Sequence, residues 1–426
     1  MKIAFFVNAF PMVSEVFIAS SAAALIDRGH EVDLYGISNL APSKVIPNIV
    51  EQAGLVERSR DVTWPTDPAA GVFCLPKAVI TSLFRHGPFR TPLFKPHIYR
   101  RSWIDTSAFQ QARILPRDGD YDILHCQFAP LAEFVLKHRA AGLLNGKVVV
   151  NFRGYDISEI IHDCGPSVYD KLWTNADGFI ANCDYFRRRA IELGCPRQRI
   201  EMIGSGIRVE DFPFRTPRTK AADSLRFISI GRLIERKGTH HSLTALAALK
   251  AAGHSVRFEI VGDGADRAKL EQLARTLGLS DEVTFHGALA HEAIAEILER
   301  SDILLAPSLT SAKGGADAPV NSIKEAMATG VMIVATKHGG IPELVVDNVN
   351  GTLAREDDAA DLTDAIQRLL DMRPNWPDIA AHARDEVIRL YGIDTVTAQL
   401  EHFYAALTAE QSAPIPANPP LRSSYE

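Results

Sequence analysis

The stretch from Asp302 to Ala335 constrains the fold more than any other. Ile303 to Ala306 is a short apolar run stopped by Pro307, as in a buried strand. Small, turn-forming residues fill the loop from Ser308 to Ala318. A helical pattern then runs from Val320 to Thr329 and stops at Gly330, which suits a left-handed C-terminal cap. Val331 to Ala335 is a second apolar run. In an open parallel sheet, ligands bind outside the carboxyl ends of strands, and this loop occupies such a place. Asp317 stands at the mouth of the helix and Glu325 about two turns inside it.

The same alternation runs through the chain. Residues 2–8 and Glu31 to Tyr35 read as strands around a helical Ser14 to Asp27. Further strands are expected at Ile123 to Cys126, Val148 to Phe152, Gly178 to Asn182 and Ile200 to Ile203. Ser205 to Asp223 is polar and turn-rich, with Pro213 and Pro217, and marks a domain boundary. A second run follows, with strands at Leu225 to Ile230, Val256 to Val261 and Val283 to Phe285 ahead of the two already named. Helical patterns cover Ser242 to Ala252, Ala265 to Leu277, 358–372 and 376–407. The expected architecture is therefore α/β: two doubly wound domains, 1–205 and 206–390, facing a cleft. A helix over 391–410 is expected to pack back on the first domain, and the proline-rich tail 411–426 to be disordered.

Composition narrows the function classes. A net charge of -6 gives no general case for nucleic-acid binding. No stretch approaches the roughly 20 apolar residues needed to cross a bilayer. The five cysteines include no Cys-x-x-Cys, which favours free thiols in a reducing cytosol over disulfides or a zinc site. Residues 68–104 break the rhythm. They hold no acidic residue, and Lys77, Arg85, Arg90, Lys95, Arg100 and Arg101 are interleaved with Phe73, Phe84, Phe89, Phe94, Tyr99 and Trp103. This is either a solvated insertion or a peripheral contact for anionic lipid headgroups or a lipid-linked acceptor at the inner face of the cell membrane.

Several residues suit an anionic, hydroxyl-rich ligand. Gly231-Arg-Leu-Ile-Glu-Arg-Lys-Gly238 follows a strand and opens a helix, so Arg232 and Lys237 lie near a positive dipole end, a natural diphosphate site. Gly262-Asp-Gly264 is a tight turn that lets a ligand approach the backbone. It is not a dinucleotide fingerprint, because Arg267 stands where the third glycine belongs. Asp317 and Glu325 are separated by about 12 Å along a helix. That is too long for the paired carboxylates of a glycoside hydrolase, about 5–10 Å apart, and it matches the reach from sugar to ribose in a nucleotide sugar. Taken alone, Asp317 reads better as a helix cap. Gly339 and Gly340, in Lys337-His-Gly-Gly-Ile-Pro-Glu343, would expose backbone N–H groups to an anion. His125 ends a strand and is an acceptor-side candidate facing the cleft. Arg153, in Arg153-Gly-Tyr-Asp156, would donate to phosphate or sugar oxygens or pair with Asp156.

Together these segments resemble the family 4 retaining glycosyltransferases. The carriers are Gly231-Arg-Leu-x-x-x-Lys-Gly238, Val261-Gly-Asp-Gly264, Val283-x-Phe-x-Gly287, Lys-Glu325-Ala-Met-Ala-x-Gly330 and Gly339-Gly-Ile-Pro-Glu343, in the family's order. Pro11-x-x-Ser14-Glu15-x-Phe17-Ile and Leu-His125-x-Gln-Phe128 are similar to exopolysaccharide members of the colanic acid type. The resemblance implies a glycosyltransferase-B fold and a metal-independent, cofactor-free enzyme. It would move a sugar from a UDP- or GDP-linked donor to a glycan or lipid-linked acceptor. It implies that Arg232 and Lys237 bind the diphosphate, Glu325 the ribose, and Asp317 the donor sugar. Backbone at His286, Gly287 and Ala288 would meet the base, and Ser14 would approach the phosphates on closure. Two positions depart from the family: Asp317 stands where glutamate is usual, and Arg153 where histidine is usual. A non-hydrolysing sugar-nucleotide epimerase and a binding module of a polysaccharide assembly complex are the alternatives.

Overall fold

The computed structural model describes residues 1–38, 46–61, 119–219, 224–318 and 320–409, with Ser43 and a few single positions between 79 and 116. The basic aromatic segment 68–104 lies almost wholly outside the described residues, and the tail 411–426 entirely so.

Two all-parallel sheets dominate. The first contains β1 (Lys2–Val7), β2 (Glu31–Gly36), β3 (Ser59–Asp61), β4 (Asp120–Cys126), β5 (Asn145–Phe152), β6 (Gly178–Ala181) and β7 (Ile200–Met202). Their order is β3-β2-β1-β4-β5-β6-β7. The second contains β8 (Leu225–Ile230), β9 (Val256–Val261), β10 (Val283–Gly287), β11 (Ile303–Ala306), β12 (Met332–Thr336) and β13 (Thr352–Ala354), ordered β10-β9-β8-β11-β12-β13. Helices cover both faces of each sheet, so adjacent residues of the central strands can be buried on opposite sides. Phe5, Phe6, Val148, Val149, Val150, Phe227 and Leu304 are all fully buried. In each sheet the strand order reverses once, between β1 and β4 and between β8 and β11. Crevices open at such reversals, beyond the carboxyl ends of the strands.

The chain crosses between domains twice, and the crossings touch. Gly204-Ser205-Gly206 leads out of the first domain, and Tyr391-Gly392-Ile393 leads back. Ile207 N–H donates to the Tyr391 carbonyl and Ile393 N–H to the Ile207 carbonyl, each at 2.9 Å. The sequence suggests helix over 376–407, with a segment from 391 packing back on the first domain. The structure has two helices, Trp376–Tyr391 and Ile393–Thr408, because Gly392 leaves the helical region at φ −55°, ψ 139°. The first packs on the second domain. The other joins the first domain's core through Val396, Leu400, Phe403 and Tyr404, each contributing about 1.5–3 kcal/mol by burial.

This packing corrects the reading of His125. It does not face the cleft. It is buried under the last helix, with Nδ1 2.6 Å from the Tyr404 hydroxyl and its ring edge-on to Phe5. Burial, reinforced by Arg153, pulls the imidazole down to about 3, so it is neutral. Position at a strand end made it look like a cleft residue; the returning helix covers it. Tyr404→Phe removes the bond and leaves His125 with two unpaired ring nitrogens. It is expected to cost about 1–3 kcal/mol, seen as a fall of a few degrees in calorimetric Tm. An unchanged Tm would show that this bond does not hold the last helix.

Candidate active site

At the reversal of the second sheet, a small cleft opens beyond β8 and β11. Ser229, Ile230, Gly231 and Arg232 line it from the end of β8, and Leu305, Ala306 and Ser308 from the end of β11. Lys237, Thr239, Val320 and Ser322 complete the wall. Two helices begin here, Thr239–Ala251 and Asn321–Thr329, so their unsatisfied N–H groups and positive dipole ends lie beside the cleft. Arg232 is exposed and has no ion pair among the described residues. The site thus presents one free cation, one paired cation and two helix N-termini to whatever occupies it.

Asp317 is the most constrained residue of the site. Its carboxylate accepts from Lys237 Nζ at 2.8 Å and Ser308 Oγ at 2.8 Å, with Arg236 Nε at 3.2 Å. It is 7% exposed. Burial works to raise its pKa, but Lys237 and Arg236, with the Lys237 and Ser308 hydrogen bonds, outweigh this and hold it down to about 2. It does not cap the following helix, which starts at Asn321 without a side-chain cap. Its backbone is clamped as well. Asp317 N–H donates to His338 Nε2 and Gly340 N–H donates to the Asp317 carbonyl, both at 2.9 Å.

The clamp depends on the glycine at position 339. Gly339 has φ +51°, and a Cβ there would lie 2.1 Å from the Asp317 carbonyl oxygen. Gly339 therefore makes room for the acidic loop. Gly262 and Gly264 likewise make room for the Gly231 loop: a Cβ on Gly262 would lie 1.8 Å from the Gly231 carbonyl oxygen, and one on Gly264 2.3 Å from that of Leu233.

Glu325 lies in the helix Asn321–Thr329, 8% exposed, and no hydrogen bond to its carboxylate is present among the described residues. Burial raises its pKa against the pull of His291 and Lys324. It is a carboxylate without a donor, of the kind that takes a diol in two charge-assisted bonds. Its neighbour Lys324 is 1% exposed and donates to the Ser205 carbonyl at 2.8 Å, with its ammonium 4.4 Å from the Tyr391 ring centroid. Helix and interdomain crossings are thereby tied together.

The remaining candidates fall elsewhere. Glu343 turns to the first domain, where its two oxygens accept from the backbone N–H groups of Asp184 and Tyr185, both at 2.7 Å. It caps the helix Asp184–Glu192 across the interface. His286 bonds Glu259 and, with Gly287, ends the edge strand β10, outside the cleft wall. Ser14 is exposed in the Val13–Glu15 turn of the first domain. Arg153 does not pair with Asp156 through its side chain; Asp156 accepts its backbone N–H at 2.9 Å. The guanidinium donates to the Gln127 carbonyl at 3.1 Å, Gln127 Oε1 at 2.7 Å and Ser205 Oγ at 2.9 Å, and lies 4.5 Å from the Phe17 ring centroid. Burial lowers it to about 10, so it keeps its charge.

Two residues that sequence reasoning missed belong to the site. Arg236 is 6% exposed and ion-pairs across the interface with Glu159 while facing Asp317. Glu15 is half-buried, and burial pushes its carboxyl up to about 7 against the opposing charges of Arg153 and Arg232. The acidic loop itself docks on the first domain, for Ala316 and Ala318 join that domain's core and Lys313 pairs with Asp163 at 3.0 Å. Both domains therefore build the site.

Among the described residues, His240, His241 and Asp357 bring potential metal-ligand atoms within 4.8 Å of one another. Ligands around a tetrahedral zinc lie about 3.3 Å apart, and none of the three lines the cleft.

Two Rossmann-like domains, each with its crevice at a reversal of strand order and facing the other, define the glycosyltransferase-B class. Solved structures share the arrangement. Anabaena Alr3699/HepE in complex with UDP and glucose aligns with a TM-score of 0.67 at 20% identity, covering 95% of this chain and 100% of that one. A sucrose-phosphate synthase from Thermosynechococcus elongatus aligns at 0.65 and 19%, covering 96% and 99%. Residues 14–211 match the model for Glycosyltransferase Family 4 and residues 212–386 the model for Glycosyl transferases group 1. The chain belongs to this family of glycosyltransferases. It is 28% identical over 407 residues to a putative colanic acid biosynthesis glycosyltransferase, WcaL, of Salmonella typhimurium, covering 94% of this chain and 98% of that one. It is also 28% identical to the amylovoran biosynthesis glycosyltransferase AmsK of Erwinia amylovora, over 91% and 95% of the two chains. Among the described residues, no helix is long and apolar enough to cross a membrane.

Proposed function

We propose that this glycosyltransferase acts in exopolysaccharide biosynthesis, moving a sugar from a UDP- or GDP-linked donor to a glycan or lipid-linked acceptor with retention of configuration. The observation that carries the reading is the cleft at the β8/β11 reversal, where Arg232, Lys237 and two helix N-termini face one space and Glu325 offers a carboxylate nearby. Arg232 and Lys237 hold the diphosphate and offset the charge that develops as it leaves, and preorganised groups of this kind usually supply the largest part of such a rate. Glu325 takes the ribose hydroxyls. Asp317, fixed by Lys237, Ser308 and its clamped backbone, lies at the sugar end. The acceptor hydroxyl attacks from the face the diphosphate leaves, and the departing phosphate takes its proton. Two cations and two helix dipoles supply the neutralisation that a divalent ion would otherwise give, so the reaction runs without one. Residues 68–104 have a composition suited to an anionic bilayer carrying a lipid-linked acceptor.

The test is product analysis over a panel of UDP- and GDP-sugars, with and without acceptor glycans and with EDTA. The expected outcome is acceptor-dependent transfer with the donor's anomeric configuration kept and no effect of EDTA. A rearranged sugar formed without acceptor would support an epimerase, and an inverted linkage would overturn retention.

Gly262→Ala tests the site's framework. Its Cβ would push the Gly231 loop and Arg232 with it. A displacement of about 1 Å costs on the order of 100-fold in rate, with the circular dichroism spectrum unchanged. Transfer at the wild-type rate would show that the loop's position does not matter.

A further inference from the structure

Three loops from the carboxyl ends of adjacent strands meet at the acidic loop. Thr310 follows β11, His338 follows β12 and Glu356 follows β13. Glu356 is half-buried, and its Oε2 accepts from both the N–H and the hydroxyl of Thr310, each at 2.8 Å. Its other oxygen, Oε1, stands 3.0 Å from His338 Nδ1. His338 is fully buried, and its Nε2 accepts the Asp317 N–H at 2.9 Å. One carboxylate thus reaches both ends of the stretch from Thr310 to Asp317. Between those ends the loop closes on itself, where Ser311 N–H donates to the Gly315 carbonyl at 3.2 Å.

We propose that Glu356 is a positioning residue for sugar transfer: it braces both ends of the acidic loop and, through His338, sets where Asp317 meets the donor sugar. The inference rests on the nucleotide-sugar reading given above. Glu356 does not line the cleft, so it acts through the loop.

The imidazole carries the brace to Asp317. A ring nitrogen that accepts holds no proton, so the neutral ring has its proton on Nδ1. Nδ1 has no aligned hydrogen bond among the described residues, and the Glu356 charge at 3.0 Å is what favours a proton there. The reverse tautomer would turn an Nε2–H towards the Asp317 N–H and break that bond. Glu356→Gln separates the two ends. Its amide oxygen still accepts from Thr310, which leaves the NH2 group facing Nδ1 and favours the reverse tautomer.

The experiment is steady-state transfer by the full chain with the UDP- or GDP-sugar that wild type uses, beside calorimetric titration with UDP and with GDP. Glu356→Gln and Glu356→Ala are expected to lower kcat by on the order of 10- to 100-fold, as a displacement of Asp317 by up to about 1 Å would. Donor KM, nucleotide Kd and binding stoichiometry are expected to stay within about twofold of wild type, because Arg232 and Lys237 keep their places. Asp357→Asn alters the neighbouring carboxylate, which pairs with His241 at 2.9 Å, and is expected to keep the wild-type kcat. Wild-type kcat in both Glu356 variants would overturn the proposal and leave the donor reading standing. So would a fall in kcat matched by an equal fall in binding stoichiometry, which would make Glu356 a residue of the fold alone. Failure of wild type to release nucleotide from any UDP- or GDP-sugar would remove the donor reading and the proposal together.

Discussion

Lys237→Ala is expected to lower the rate of sugar transfer by on the order of 100- to 1000-fold while the protein stays folded. Lys237 precedes the helix Thr239–Ala251, lines the cleft beside Arg232, and already spends one hydrogen bond on Asp317. An ammonium has three donors, so two remain for phosphate oxygens. Charge on the diphosphate grows as the sugar leaves, so most of the loss is expected in kcat and less in KM. Lys237→Arg keeps the charge but brings a planar fork in place of a point charge, and should restore only part of the rate. A Lys237→Ala enzyme with wild-type kcat would contradict the assignment of this residue to the leaving group.

Asp317→Asn is expected to be the most damaging substitution for stability. It leaves Arg236 and Lys237 facing each other without the carboxylate between them, and Arg236 is almost fully buried. Breaking a buried pair from one side typically costs about 3–5 kcal/mol. The pH dependence has a definite sign. The folded carboxyl, held to about 2, lies below the ordinary aspartate value of 3.8. Its contribution is therefore present in full above about pH 4 and is lost as pH falls towards 2, an amount of about 2 kcal/mol. Wild type should lose stability through that window more steeply than Asp317→Asn in urea unfolding. Equal stability at pH 7 and parallel curves in acid would show that the ion pairs around Asp317 contribute nothing.

The strands that the sequence disclosed are those rich in buried apolar residues. Leu225 to Ile230, Val256 to Val261 and Ile303 to Ala306 stand in the structure with the limits their apolar runs suggest. The three-residue edge strands β3 (Ser-Arg-Asp) and β13 (Thr-Leu-Ala) carry no such signal. They exist because β2 and β12 offer them a ladder. The site divides in the same way. Gly231, Arg232 and Lys237, which line the cleft, stand in a loop beside a helix start, and such a loop has a local pattern. Arg236 sits within the same eight residues, yet its place is set by Glu159 in the other domain and by Asp317, 81 residues along the chain (317 − 236). Glu343, Arg153 and His125 misled for one reason. Each stands at or just beyond a strand end, but its partners (the helix Asp184–Glu192, the crossing at Ser205 and the returning helix) arrive from distant sequence.

The most direct test of the account is the rate of nucleoside-diphosphate release, with an acceptor glycan present, by wild type, Lys237→Ala and Glu325→Gln across a panel of UDP- and GDP-sugars. The account predicts release from a UDP- or GDP-sugar by wild type, on the order of 100-fold slower release by Lys237→Ala, and a rise in donor KM in Glu325→Gln. Release left unchanged by both substitutions, or no release by wild type from any sugar of the panel, would contradict it.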